Sequence, residues 1–255
     1  MNPNIEIMKK LLSLTFAILI AAFFTVVKGQ DLSEILDQHF SVVGQEKLMK
    51  IKTLTIYGNI VQMGTEFSFV QKVKKPDKFR MEADIQGQKM IQAFNGDDGW
   101  YIAPWIGPDP QDLTGDQLKQ AKEQTNIEGD LYNWEEKGHQ AEYMGTEDME
   151  GTEVYKIKLT KKEGDEIFYY IDSEAYIILK ESRKMTMQGS EVEIESFPGN
   201  YEMIDGIAFP MSVKTNIMGN ETQVLFDSLK FDLELDDSIF IRPGKEETEV
   251  KEDSK

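Results

Sequence analysis

The chain has 255 residues, 28 basic against 46 acidic, for a net charge of −18, and it contains no cysteine. That charge argues against binding nucleic acid, whose affinity rests on neutralising phosphates, and against adsorption to anionic lipid surfaces. The missing cysteines rule out disulfides, thiolate metal sites, thiol nucleophiles and lipid attachment at an export-signal cysteine, so a hydrophobic core must hold the fold.

Lys9 and Lys10 precede an uncharged apolar run, Leu11 to Val27. This is the layout of a secretory signal. Residues 1–29 are expected to form a signal peptide cut ahead of Gln30, leaving a protein that is soluble in the periplasm. An uncleaved anchor is the alternative. Residues 30–244 are expected to form one domain, and 245–255, rich in Lys and Glu, an acidic disordered tail.

Asp31 to Val43 predicts an amphipathic helix, with Leu32, Ile35, Leu36 and Phe40 at helical spacing and Gly44 as its stop. From Thr53 the texture changes. Leu54, Ile56 and Ile60, then Phe67 and Phe69, then Phe79, Met81, Ala83 and Ile85 alternate with polar residues, the period of a sheet with one buried face. Lys75-Pro76-Asp77, Gln86-Gly87-Gln88 and Asn95 to Gly99 supply turns, the last being the strongest hairpin signal.

After the Pro/Gly loop 104–110, Thr114 and Gln117 read as a capping box opening a helix to Gln124. Asp130 to Lys137 predicts a second short helix. Beyond Glu142 the strands resume: 154–160, 166–171, 176–181, 184–188, 191–196, 200–204, 208–216, 222–231 and a short strand at Ile239 to Ile241. A helix, about five strands, a helical insertion and six to eight more strands make an α+β protein, a single large antiparallel sheet curled to bury its inner face.

No enzyme motif is present: no H-E-x-x-H, no G-x-S-x-G and no phosphate loop. His39 and His139 are far apart without ligand spacing, and Asp97-Asp98 lacks the alternation that wraps a cation. The sequence therefore predicts a non-enzyme with no catalytic residue, no metal and no cofactor. It does supply bulky, adaptable apolar side chains. Met81, Met90, Met185, Met187, Met203, Met211 and Met218 all fall in strand-like segments, and methionine repacks readily around ligands of variable shape.

Three segments carry a family resemblance. Val73-Lys-Lys-Pro-Asp-Lys-Phe-Arg-Met-Glu82, Phe94-Asn-Gly-Asp-Asp-Gly-Trp-Tyr101 and Asp237-Ser-Ile-Phe-Ile-Arg-Pro-Gly244 resemble stretches of the LolA/LolB-like lipoprotein-sorting carriers, here of the Bacteroidetes type. The resemblance implies an unclosed β-barrel under a helical lid, with an apolar cavity for lipoprotein acyl chains. It nominates Phe67, Phe69, Phe79, Met81, Trp100 and Ile102 from the early strands as cavity residues, and Tyr155, Ile157, Leu159, Phe168 and Tyr170 from the later ones. Leu118 and Tyr132 would belong to the lid. Lys75 stands where the carriers have the arginine that tethers lid to barrel and takes part in exchange. Lysine is a point charge without the planar fork.

The expected partners are lipoprotein acyl chains or another lipid, with membrane-bound export machinery and no nucleic acid, and the protein is expected to be a monomer. Two other readings remain open: an envelope sensor or partner-binding module on the same fold, and a hydrolase of envelope polymers.

Overall fold

The computed structural model describes residues 31–187 and 190–244. The expected signal peptide and acidic tail lie outside the described residues. Two helices open the description, α1 (Leu32–Val43) and α2 (Gln45–Lys50). Gly44 between them has φ 73°, and a Cβ there would strike the Gly206 carbonyl oxygen at 2.2 Å, so glycine both breaks the helix and admits the neighbouring turn.

Six strands follow: β1 (Thr53–Gln62), β2 (Thr65–Lys74), β3 (Lys78–Ile85), β4 (Gln88–Asn95), β5 (Gly99–Ile102) and β6 (Gln111–Asp112). The helix α3 (Gly115–Glu123) interrupts them. Seven more strands complete the sheet: β7 (Gln140–Met149), β8 (Thr152–Thr160), β9 (Glu166–Asp172), β10 (Ile178–Met187), β11 (Ser190–Ile204), β12 (Ile207–Ile217) and β13 (Asn220–Phe231). A 3₁₀ helix, Asp237–Phe240, lies beyond them.

The 13 strands of the described residues form one sheet in the order β6-β5-β4-β3-β2-β1-β13-β12-β11-β10-β9-β8-β7, every neighbouring pair antiparallel. The edge strands β6 and β7 do not pair, so the barrel is unclosed, with α3 as its lid. This is the fold class the sequence implied.

Four local expectations change. Asp130 to Lys137 forms a run of turns, not a helix; Asn133 at φ 50° breaks helical continuity. Thr114 caps α3 without a side-chain hydrogen bond, so the capping box is not made. The segments 176–181 and 184–188 join as β10, and 191–196 with 200–204 as β11. Ile239 to Ile241 is not a strand, because Asp236 caps the 3₁₀ turn by accepting from the Ser238 amide at 2.8 Å.

Two apolar clusters lie on the inner face. One combines β1–β5 with β12, β13 and α3, and includes Leu54, Phe69, Val73, Phe79, Phe94 and Leu229. The other packs α1 (Ile35, Leu36) onto Tyr155, Ile157 and Leu159 of β8 and Ile167, Tyr169 and Ile171 of β9.

The outer face of the first half is closed by the chain's own C-terminal segment, which runs across the strands as a strap. Thr53 of β1 donates to the Leu233 carbonyl at 2.6 Å, and Lys74 of β2 to that of Leu235 at 2.8 Å. Lys74 and Lys78 both pair with Asp237, at 2.6 and 2.8 Å, which holds the Asp237 carboxyl below its ordinary pKa. Arg80 of β3 donates to Ile239 at 2.6 Å, and the Trp100 indole of β5 to Phe240 at 2.9 Å. Arg242 reaches Asp112 of β6 at 2.8 Å. Phe240 is fully buried.

Candidate ligand cavity

Strand register decides which predicted residues share a face. Ile60 pairs with Phe67, Gly58 with Phe69, Val73 with Phe79 and Gln71 with Met81. Phe67, Phe69, Phe79 and Met81 thus share the inner face. Tyr155, Ile157 and Leu159 also face inward, opposite Ile171, Tyr169 and Ile167; they form the second cluster, sealed by α1.

Trp100, Ile102, Phe168 and Tyr170 have the opposite phase. Phe94 pairs with Gly99 and Gln92 with Tyr101, so Gly99 and Tyr101 face inward while Trp100 and Ile102, opposite Ala93 and Ile91, face outward. Trp100 is buried under the strap, with the Arg80 guanidinium 5.5 Å from its ring centroid. In β9 the inward residue is Tyr169. Phe168 and Tyr170 face outward opposite Lys158 and Lys156, and the Lys156 and Lys180 ammonium groups lie over the Tyr170 ring, 5.3 and 5.1 Å from its centroid. Of the methionines, Met81, Met90 and Met211 pack on the first cluster, whereas Met203 and Met218 are exposed.

A cavity of about 1170 Å³ lies beneath α3. Its roof includes Leu118, Lys119 and Glu123; Phe94 and Asp97 stand at one side and Lys161 to Glu163 at another. The floor is Tyr169 of β9, Glu181 and Arg183 of β10, Ile194 and Ser196 of β11, and Thr215 and Ile217 of β12. Of the residues nominated from sequence, Leu118 alone lines it. A Cβ on Gly99 would meet Leu118 Cδ1 at 2.8 Å, so the bare glycine lets the lid approach the sheet.

Polar tethers hold the lid. Lys161, just past β8, pairs with Glu123 at 3.1 Å and Asp130 at 3.2 Å, and Lys119 pairs with Asp165 at 2.6 Å. On the other side Lys75 pairs with Glu128 at 3.1 Å while donating to the Met49 carbonyl at 3.1 Å. Gln45 donates to the Glu128 carbonyl at 2.9 Å. Lys75 therefore joins barrel, α2 and lid segment as a point charge. Tyr132 lies edge-on to Phe40 of α1 at 5.3 Å, and the adjacent Leu131 is buried in the second cluster.

The floor is the feature that sequence reasoning missed. One cross-strand row is polar: Tyr169 pairs with Glu181, Glu181 with Ser196 and Ser196 with Thr215. Burial pushes the Glu181 carboxyl up, against the attraction of Arg183, and pushes the Tyr169 phenol well up. A second row continues from the same strand, β12, in the other direction and is apolar. Val213 pairs with Val224, Val224 with Ile60 and Ile60 with Phe67, all half-buried. The only sequence hint of the polar row is the charged run Lys180-Glu-Ser-Arg183 after the apolar Tyr176 to Leu179; the row itself forms only through strand register.

His39 and His139 are structural. The His39 Nδ1 lies 2.7 Å from the Tyr176 carbonyl, and burial lowers its pKa against the opposing pull of that bond. His139 accepts from the Lys162 amide at 3.1 Å. Among the described residues no group of three or more His, Asp or Glu is placed to hold a metal ion. None of their helices is long and apolar enough to cross a membrane.

A family model described as an uncharacterized protein matches residues 73–243. No curated protein matches. Among solved structures, the chain is similar to a DUF1329 family protein from Desulfovibrio piger, at 15% identity and TM-score 0.57, over 81% of this chain and 97% of that one. A LolA superfamily protein from Nitrosomonas europaea gives 12% and 0.55, over 79% and 96%. A candidate outer membrane lipoprotein-sorting protein domain from Vibrio parahaemolyticus gives 12% and 0.54, over 81% and 97%. At these identities the likeness is one of fold.

Proposed function

We propose a function from a plain premise: the chain belongs to the family matched over residues 73–243 and has the fold of the LolA superfamily. The protein is a non-catalytic periplasmic carrier or chaperone that holds the acyl chains of lipoproteins, or of a related lipid, and moves them toward the outer membrane. The observation that carries this reading is the half-buried apolar row Val213, Val224, Ile60 and Phe67 on the inner face. A sheet that stops short of burying such a row leaves space for apolar surface from elsewhere. Each methylene so buried contributes about 0.8 kcal/mol, so one acyl chain suffices for tight binding.

Native mass spectrometry of the protein taken from its own envelope fraction, followed by lipid extraction, tests this. Bound lipid or acylated lipoprotein near one per chain is expected. A clean apo mass, with no uptake of a fluorescent fatty acid, contradicts it.

A second reading, a module that binds a protein partner without transport, is favoured by one end of the sheet. The tips of β1–β2 and β12–β13 lie side by side there, since Gln62 pairs with both Thr65 and Thr222. Met63 and Met218 at those tips are 83% and 75% exposed. An envelope protein that co-purifies with the chain and is released by Met63→Ser with Met218→Ser would move this reading ahead.

A further inference from the structure

We infer that the cavity floor is a headgroup site for a zwitterionic amphiphile, with Glu181 taking a cationic nitrogen and Arg183 an anionic phosphate or carboxylate. The inference rests on the carrier reading and names the class of ligand. It starts from the two rows that meet on β12. The apolar row runs from Val213 through β13 and β1 to Phe67, and the polar row runs from Thr215 through β11 and β10 to Tyr169. Val213 and Thr215 are two residues apart on one strand, so they share the inner face. A molecule lying across this floor meets hydrocarbon on one side and hydrogen-bonding groups on the other.

The polar groups there are not spent on one another. Ser196 and Thr215 hydroxyls lie 3.3 Å apart. By contrast, neither Glu181 nor Arg183 makes a hydrogen bond or ion pair with another described residue, although Glu181 lies deep under the lid and both line the cavity. Three other basic groups around the cavity are engaged. Lys161 is held by Glu123 and Asp130, Lys119 by Asp165, and Lys137 donates to the Gly129 carbonyl. Glu181 is half-buried and feels Arg183 only through space; a desolvated carboxyl with no hydrogen-bond partner is costly, and a ligand cation satisfies it.

Glu181 and Arg183 alternate with the outward Ser182 and so stand about 7 Å apart along the strand. That spacing suits a head with nitrogen and phosphate separated by a short linker. Arg183 pairs with Ile194 and Ile194 with Ile217, and both isoleucines line the cavity, so the first methylenes of an acyl chain leaving the phosphate meet hydrocarbon there. A purely anionic head would leave Glu181 unpaired, and a purely cationic one would leave Arg183 unpaired.

The test is calorimetric titration of the exported chain with short-chain probes below their micelle concentrations: dihexanoyl phosphatidylethanolamine, dihexanoyl phosphatidylglycerol, n-decanol and free phosphoethanolamine. A preference of at least about tenfold for the ethanolamine over the glycerol lipid is expected, equivalent to about 1.4 kcal/mol. In Glu181→Gln the ratio should fall to within about threefold. Arg183→Gln should weaken both phospholipids together. Glutamine keeps the shape of the buried side chain, and thermal unfolding confirms that each variant is folded.

Equal affinity for the two lipids, or a preference that survives Glu181→Gln, overturns the headgroup site while leaving the carrier reading intact. Free phosphoethanolamine binding as tightly as its lipid supports the zwitterion site but removes the carrier reading. Absence of binding by all four probes overturns both.

Discussion

The two halves of this one sheet are stabilised from opposite sides. In the half built from β7 to β10, α1 lies on the inner face, and Ile35, Ile157, Leu159 and Ile171 are fully buried there. The outer face of that half carries Phe168 and Tyr170 under the Lys156 ammonium group. In the half built from β1 to β6, the strap covers the outer face and buries Phe240 and Trp100. The inner face of that half keeps Ile60, Phe67, Ile85 and Met90 only half-buried. A sheet needs cover on at least one face. The end of the inner face of β1–β4 around Ile60, Phe67, Ile85 and Met90 is thereby left for something other than the chain, while Leu54, Val73, Phe79 and Phe94 at its other end are buried by the chain itself.

The largest test of this division is Phe240→Ala. Truncating a fully buried phenylalanine costs about 3–5 kcal/mol, so a large drop in the urea midpoint is expected. Little change would mean the strap is an ornament and the open half holds itself.

Ile157→Ala and Phe67→Ala form a matched pair. The first, in the sealed half, should cost about 2–5 kcal/mol of stability with no effect on fatty-acid affinity. The second should cost roughly 1–2 kcal/mol, because its side chain is already half-exposed, and should weaken fatty-acid uptake about tenfold. Affinity lost equally in both would erase the distinction between the halves.

Lys75→Met removes the tether to Glu128 and should cost about 1 kcal/mol. Its readout is faster hydrogen exchange in the lid segment 124–130, with Lys75→Arg restoring protection.

The smallest effect is in pH dependence. The buried His39 imidazole has its pKa lowered in the fold, so the unfolded chain binds the extra proton once the pH falls below about 6.5. Stability tied to this ring is present above that pH and is lost on acidification. His39→Gln should flatten the decline of stability between about pH 6.5 and 5, and an unchanged slope would remove His39 as its source.

The sheet was legible because its strands alternate, and the lid helix from Thr114 and Gln117 at its start, although the side-chain cap they suggested is not made. Phase was lost where alternation fails. Trp100-Tyr101-Ile102 and Ile167-Phe168-Tyr169-Tyr170-Ile171 are apolar at every position, so period two cannot say which members face inward. In β5 the answer is set by a strap some 140 residues away. In β9 it is set by Lys156 and Lys180 on neighbouring strands. The three segments that resemble the sorting carriers also take on physical meaning here. Lys74, Lys78, Arg80, Trp100, Asp237 and Phe240 make the strap's contacts, so much of that pattern records how the outer face is closed. The polar floor was not legible, because Glu181, Ser196 and Thr215 meet only through strand register.

The central claim is that ligand lies against the inner face of β1–β4, β12 and β13. Photolabelling with a diazirine fatty acid, followed by peptide mapping, tests it most directly. The account predicts adducts on the peptides carrying Ile60, Phe67, Met90 and Val224. Adducts confined to β7–β9, or to the outer face around Phe168 and Tyr170, would contradict it.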